Sequence, residues 1–310
     1  MKTEFSNYQK SLAAHIKKIT RKDGKAQEDL TFTLAAVLIQ SGITPTQYIN
    51  AYNANKIMDA RCFITDGARI EDYVVEEFRE LVHNLSLRRP QGLGTPNAAC
   101  GDWEFAALMS SPEVMISKKK NQGDLLITGK KVEFRGKDAR CWSDVKGTDF
   151  NKACISISKR YPEFKPNKCT KQREGFEPWK GGQHWTSQFK AAGVKRSKAY
   201  LFEIMNAAAP GGFTEASIDR CWVDGEFDVL ALCKEIIKVF WRRTEKKYDA
   251  LSHIEAGTVR SIGTDADVFD KLVDTGAITP GNIKDDGKTP DGNFFRIFLA
   301  NPLGWYYRFT

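Results

Sequence analysis

Apolar positions in the first ninety residues recur at helical spacing. Glu28 to Gln40 is apolar enough to form a buried helix, and Gly42 is placed to stop it. Thr44-Pro45 combines a capping side chain with a first-turn proline, so another helix is expected immediately after. Between Glu71 and Leu85 the residues Tyr73, Val74, Val75, Phe78, Leu81, Val82 and Leu85 trace one face, which predicts a single helix over 71–85. Residues 86–101 then hold two prolines and three glycines and mark the best candidate boundary. A short helix is expected from about Asp102 to Ser110, with Ser111-Pro112 at its end.

Beyond that point the period changes. Gly123-Asp124 leads into Leu125–Thr128, Gly129-Lys130 reads as a tight turn, and Lys131–Gly136 returns. This is a β-hairpin whose second strand puts Val132 and Phe134 on one face and Lys131, Glu133 and Arg135 on the other. Residues 160–185 read as a long basic loop, 226–247 as a long helix, and 293–309 as a terminal aromatic hairpin completing the same domain. The expected fold class is α/β. A helical N-terminal region, 1–90, precedes an α/β domain, 91–310, that carries a basic insertion at about 140–200.

Composition narrows the function. The 310 residues are 41% apolar and 28% charged, an ordinary globular balance. The longest apolar run, Leu34–Ile39, falls far short of the roughly 20 residues that span a bilayer, and the first residues show no leader pattern. A cytoplasmic protein without a membrane partner is expected. Seven cysteines, an odd count without CxxC spacing, argue for reduced buried thiols, and the four histidines lie far apart. GxxxxGK[ST], GxGxxG and GxSxG are all missing, which excludes P-loop, dinucleotide-fingerprint and nucleophile-elbow chemistry. The net charge of +8 is uneven. Residues 118–200 hold 21 Lys and Arg against 8 Asp and Glu, while the rest holds 26 against 31. Such a concentration suits a polyanionic partner.

Three carboxylates stand out beside this basic stretch: Glu104 on a helix, Asp124 at the start of the first hairpin strand and Glu133 within the second. Facing hairpin residues lie about 5 Å apart, so Asp124 and Glu133 repel unless a cation sits between them. Oxygen-only donors favour Mg²⁺ or Mn²⁺ over zinc. Such an ion can polarise a phosphoryl oxygen and generate hydroxide, and a cation at position 135 would stabilise the charge that develops. The same residues also suit an exposed charged hairpin face paired with Lys131 and Arg135, with Glu104 favouring its own helix dipole.

The run Gly101-Asp-Trp-Glu104 … Gly123-Asp124-(x8)-Glu133-Phe-Arg135-Gly136, followed by Arg140, resembles the PD-(D/E)xK superfamily of restriction-endonuclease-like nucleases, phage-encoded members in particular. The resemblance covers about 40 residues, 101–140. It implies a restriction-endonuclease-like mixed sheet flanked by helices. Asp124 and Glu133 would be metal ligands, and Glu104 would complete or orient the site. The family usually has lysine where this chain has Arg135. Arginine keeps the charge but stays protonated. Lys131, two residues back on the same face, could supply an ammonium; otherwise Arg135 is an electrostatic clamp, or the fold has lost activity.

Lys118, Lys119, Lys120, Lys137 and Arg140 are the candidate nucleic-acid contacts. Further cations between 159 and 198 are interleaved with Tyr161, Phe164, Phe176, Trp179, Trp185 and Phe189. The expected activity is Mg²⁺- or Mn²⁺-dependent cleavage of DNA by a phage-encoded protein. The alternative is a non-catalytic virion component (neck, head-completion or DNA-end-binding) that keeps the nuclease fold, resides in the host cytoplasm or the virion and contacts other virion proteins. An RNA-processing nuclease is the third reading. Cutting both strands of a palindrome would call for a two-fold homo-oligomer.

Overall fold

The computed structural model describes residues 2–91, 93, 100–101, 103–117, 124–136, 138–142, 145–164, 167–168, 176–177, 185–244, 247–263, 266–280 and 304–309. Five helices open the chain: α1 (Lys2–Thr20), α2 (Gly24–Gln40), α3 (Pro45–Asn53), α4 (Arg79–Ser86) and α5 (Glu104–Ser110). Strands β1 (Val114–Ile116), β2 (Leu125–Ile127), β3 (Lys130–Arg135) and β4 (Asp138–Trp142) follow. Helix α6 (Gly147–Arg160), the short pair β5 (Asn167–Lys168) and β6 (Phe176–Glu177), and helices α7 (Trp185–Ala192), α8 (Val194–Ala208) and α9 (Glu215–Asp219) come next. The hairpin β7 (Trp222–Val223) and β8 (Glu226–Phe227) leads into α10 (Val229–Thr244). The chain ends with β9 (Ala250–Glu255), β10 (Thr258–Gly263), α11 (Ala266–Asp274), β11 (Ile278–Pro280) and β12 (Gly304–Phe309).

The molecule is α/β and divides into two compact units. One comprises 1–137 and 247–264, the other 138–246 and 265–310. Side chains from α1–α5 and from the strands bury one common core, in which Leu34, Leu81 and Phe105 share a cluster with Ile127, Val132 and Val259. A helical region cannot stand apart when its apolar face is covered by the sheet.

The first unit contains a mixed five-stranded sheet in the order β1-β2-β3-β9-β10. Its neighbours are antiparallel except β3 and β9, which run parallel. Parallel neighbours need a long crossover, and here the chain leaves at 137 and returns at 247.

Local chemistry explains the helix ends. Beyond α2, Gly42 has φ +66°, its N–H donates to the Ile39 carbonyl (3.2 Å), and the Ile43 N–H donates to that of Leu38 (3.0 Å). This is a Schellman closure that needs a left-handed residue at Gly42. At α3, the Thr44 hydroxyl accepts from the Gln47 N–H (3.3 Å) and the Gln47 side chain accepts from the Thr44 N–H (2.9 Å), a capping box ahead of Pro45.

Residues 71–85 do not form the single helix that their spacing predicts. Ile70–Tyr73 and Glu76–Phe78 are 3-10 turns, and α-helix begins only at Arg79. Val74 and Val75 interrupt it. Both are extended; Val74 bridges Met58, and the Val75 N–H donates to the Ile57 carbonyl at 3.0 Å. A tertiary partner for the backbone has displaced the intrahelical bond at two adjacent β-branched residues.

Helix α5 is buried from Phe105 to Ser110. The Tyr48 hydroxyl donates to the Met109 carbonyl (2.8 Å), and that of Tyr52 to the Leu108 carbonyl (3.3 Å). These bonds satisfy carbonyls in the last turn of the helix. His15 meets both tyrosine rings edge-on, at 5.5 and 4.9 Å.

In the second unit a three-stranded sheet has the order β11-β12-β4. The terminal strand thus pairs with 278–280 and 138–142; the other half of the expected aromatic hairpin, 293–299, lies outside the described residues. The expected helix over 226–247 is α10, which starts later because Glu226-Phe227 pairs with Trp222-Val223. On α10, Glu235 receives a two-pronged contact from Arg220 (3.0 and 2.7 Å), and Lys238 lies between Glu235 and Asp274. Trp241 stacks on Phe269 at 4.3 Å. In the expected basic loop, 160–185, described residues include the β5–β6 pair and Trp185, which begins α7. The six described cysteines are buried, as the sequence implies; Cys169 lies outside the described residues.

Burial, and secondarily the Lys18 charge, lowers the His15 pKa to about 4. Unfolded histidine titrates near 6.5, so the unfolded chain binds more protons as the pH falls below that value. The stability held at neutral pH is therefore lost progressively from about pH 6.5 towards 4. In urea titrations at pH 7.5 and 5, His15→Phe is expected to reduce the acid-induced loss of unfolding free energy by on the order of 1 kcal/mol. An equal loss in both proteins would show that His15 does not carry it.

Candidate active site

The β2–β3 hairpin is closed by Thr128 and Gly129, with φ +49° and +85°. Two consecutive left-handed residues make a type I′ turn, whose twist matches the strands it joins. The turn therefore sits one residue earlier than Gly129-Lys130, and Ile127 faces Lys130. Glycine suits the second position; Thr128 is strained in the first. Its hydroxyl donates to the Ile127 carbonyl (2.7 Å), and its N–H donates to that of Glu113 (3.1 Å).

The register Leu125↔Val132, Leu126↔Lys131 and Ile127↔Lys130 determines which side chains share a face. Val132 and Phe134 are buried in the common core. Lys131, Glu133 and Arg135 take the opposite face, as the alternation predicts. There the Arg135 Nη1 lies 3.2 Å from the Glu133 Oε1, and both side chains are less than a fifth exposed. Water is largely excluded from this pair, so its Coulomb attraction is screened less than at an open surface.

Asp124 is the next residue after the Leu125↔Val132 pair, where the ladder would set it opposite Glu133. Its own N–H reaches the Val132 carbonyl (3.0 Å), and its Oδ2 accepts from the Phe134 N–H (3.0 Å). The carboxylate thus takes the place of a ladder acceptor where β2 begins. This gives Asp124 a structural task whatever its chemistry.

Glu104 begins α5. Its Oε1 accepts from the Gly101 N–H at 2.7 Å. A Cβ on residue 101 would lie 2.1 Å from that oxygen, so the fold-back of the carboxylate requires glycine there. Between them Trp103 has φ +68°, a strained conformation for a bulky residue, and packs against the core. Burial, then the charge of Glu104, pushes the Cys100 thiol up to about 12. Cys100 is therefore no thiolate nucleophile at neutral pH.

The structure brings Asp124, Glu133 and Arg135 to one end of the hairpin. Glu104 lies at the start of α5, and among the described residues no group of three or more His, Cys, Asp or Glu side chains that could hold a metal ion is found. Of the candidate nucleic-acid contacts, Lys118, Lys119, Lys120 and Lys137 lie outside the described residues, and Arg140 is on β4, its backbone opposite Tyr306.

One site neighbour escapes sequence reasoning. β3 and β9 pair in register, with Glu133 facing Leu251 and Arg135 facing His253. His253 is buried, and its Nδ1 lies 3.0 Å from the Arg135 carbonyl. A carbonyl only accepts, so Nδ1 carries the proton in this bond. Only the parallel return of the chain brings a residue 118 positions away into this row.

Compared with protein-family models, curated proteins and solved structures, the chain matches none.

Asp124→Ala is expected to cost about 1 kcal/mol, because the Phe134 N–H loses its acceptor, whereas Asp124→Asn keeps an oxygen there and should cost less. Urea midpoints of the two variants test this. Equal midpoints would remove the structural role assigned to Asp124.

Proposed function

We propose that the chain is a divalent-metal-dependent DNA phosphodiesterase, with the hairpin of the first unit as its catalytic element. The observation that carries this reading is the hairpin register. It brings Asp124 to the strand end, where its Oδ2 accepts from the Phe134 N–H next to Glu133, and Arg135 pairs with Glu133 on the polar face of a strand whose other face is core. The first unit's mixed sheet, with β3 parallel to β9, is of the broad α/β class to which that family's fold belongs.

Asp124 and Glu133 supply hard oxygen donors on adjacent strands and would hold Mg²⁺ or Mn²⁺. When bound, such an ion polarises a phosphoryl oxygen and lowers the pKa of water. Glu104 fits a positioning part better than a ligand's, since its Oε1 is held by the Gly101 N–H. Arg135 stays protonated and stabilises charge on the phosphate without moving a proton; Lys131, on the same face, is the ammonium available for that step.

One observation favours the second reading, a virion or DNA-end-binding protein without activity. Each of the three acids already has a partner within the fold: Gly101 for Glu104, Phe134 for Asp124, and Arg135 for Glu133. Charge alone would then bind DNA, with affinity falling steeply as salt rises.

Supercoiled plasmid incubated with the full chain separates the two. Nicking is expected with Mg²⁺ or Mn²⁺. Asp124→Asn and Glu133→Gln should each lower the rate by at least about 100-fold, while Arg135→Lys should retain it. Salt-sensitive DNA binding without cleavage under either metal would establish the second reading. Unchanged nicking by Glu133→Gln would refute the assignment of the site.

A further inference from the structure

Among the described strands, the end strand β1 of the five-stranded sheet is paired on one side only, by β2. In β1 the Ser117 N–H donates to the Asp124 carbonyl (3.3 Å), and the Glu113 carbonyl accepts from the Thr128 N–H (3.1 Å). Peptide groups alternate in direction along a strand, so Glu113, Met115 and Ser117 turn towards β2 while Val114 and Ile116 turn away. The Val114 N–H is taken by the Ser111 carbonyl (3.2 Å). The Val114 carbonyl and both peptide groups of Ile116 therefore point off the sheet.

A groove of about 590 Å³ runs along this side. Val114, Met115 and Ile116 all line it. Successive strand residues point to opposite faces, so three in a row can border one groove only along the strand's edge. Ile19 and Tyr52 give the groove apolar walls. Lys18 and Arg21, both exposed at the end of α1, supply its charge, and no carboxylate is among its described lining. Met115 is 46% exposed there.

We propose that this groove is a docking site for an extended peptide segment of a partner protein, one that alternates apolar and acidic residues and adds to β1 as a sixth strand. An added strand would satisfy the outward peptide groups. Its apolar side chains would cover Met115 and the Ile19–Tyr52 wall, and its carboxylates would meet Lys18 and Arg21. Charge selects this occupant. A second copy pairing edge to edge would bring the same cations together, whereas an acidic segment neutralises them. All of these residues belong to the first unit, and the inference does not depend on DNA cleavage.

The test uses the full chain and a fluorescein-labelled, end-blocked heptapeptide alternating valine and aspartate. Fluorescence anisotropy is expected to show saturable binding that weakens with salt. Affinity should fall at least about tenfold in Lys18→Glu/Arg21→Glu, and by a similar factor when alternate peptide amides are N-methylated. The N-methylated probe tests strand addition without altering the protein, so a misfolded variant cannot decide the result. Equal binding of the N-methylated peptide, or of one with lysine in place of aspartate, would overturn the proposal. So would a dimer in sedimentation velocity that the peptide fails to displace, since a second copy would then hold the edge.

Discussion

Strand β3 has to satisfy two environments at once, and the arrangement of the first unit depends on it. Val132 and Phe134 bury one face in the common core, while Lys131, Glu133 and Arg135 occupy the other. A slip of one residue would drive Glu133 and Arg135 into the core and expose the apolar pair. The type I′ turn at Thr128-Gly129 sets the register on one side, and parallel pairing with β9 sets it on the other. The ion pair and the Asp124 carboxylate are consequences of that register.

The helices serve the same sheet. Helix α5 is held by Tyr48 and Tyr52 at its C-terminal end and by the Glu104–Gly101 bond at its start. It is too short to be stable by itself, so burial and these bonds keep it helical. The β10 edge of the sheet is bridged by Arg69 at Thr258, whereas among the described residues no strand pairs with the outer side of β1, where the groove lies. Strand β1 has only three residues, short enough to limit indiscriminate pairing, and two cations flank its open side.

Much of the first unit was legible in the sequence. Gly42 and Thr44-Pro45 mark helix ends through chemistry confined to a few neighbouring residues, and the structure uses them in that way. The polar and apolar faces of 131–135 follow from a period of two, which is a property of the strand alone. The helix expected over 71–85 was not realised, because apolar spacing cannot show that Val74 and Val75 take backbone partners near Met58. Similarly, no local pattern reveals that 1–90 and the hairpin share one core.

The sequence by itself determined the α/β character, the hairpin and the identity of the acids and cations on its polar face, since these depend on neighbours within a few residues. Tertiary structure alone decided that β9 returns parallel to β3 and sets His253 beside Arg135. It also decided that β1 ends the sheet, with β2 as its partner among the described strands. Each of these results from pairing or packing between segments far apart along the chain, where the net free energy of long-range contacts, and no local preference, chooses the partner.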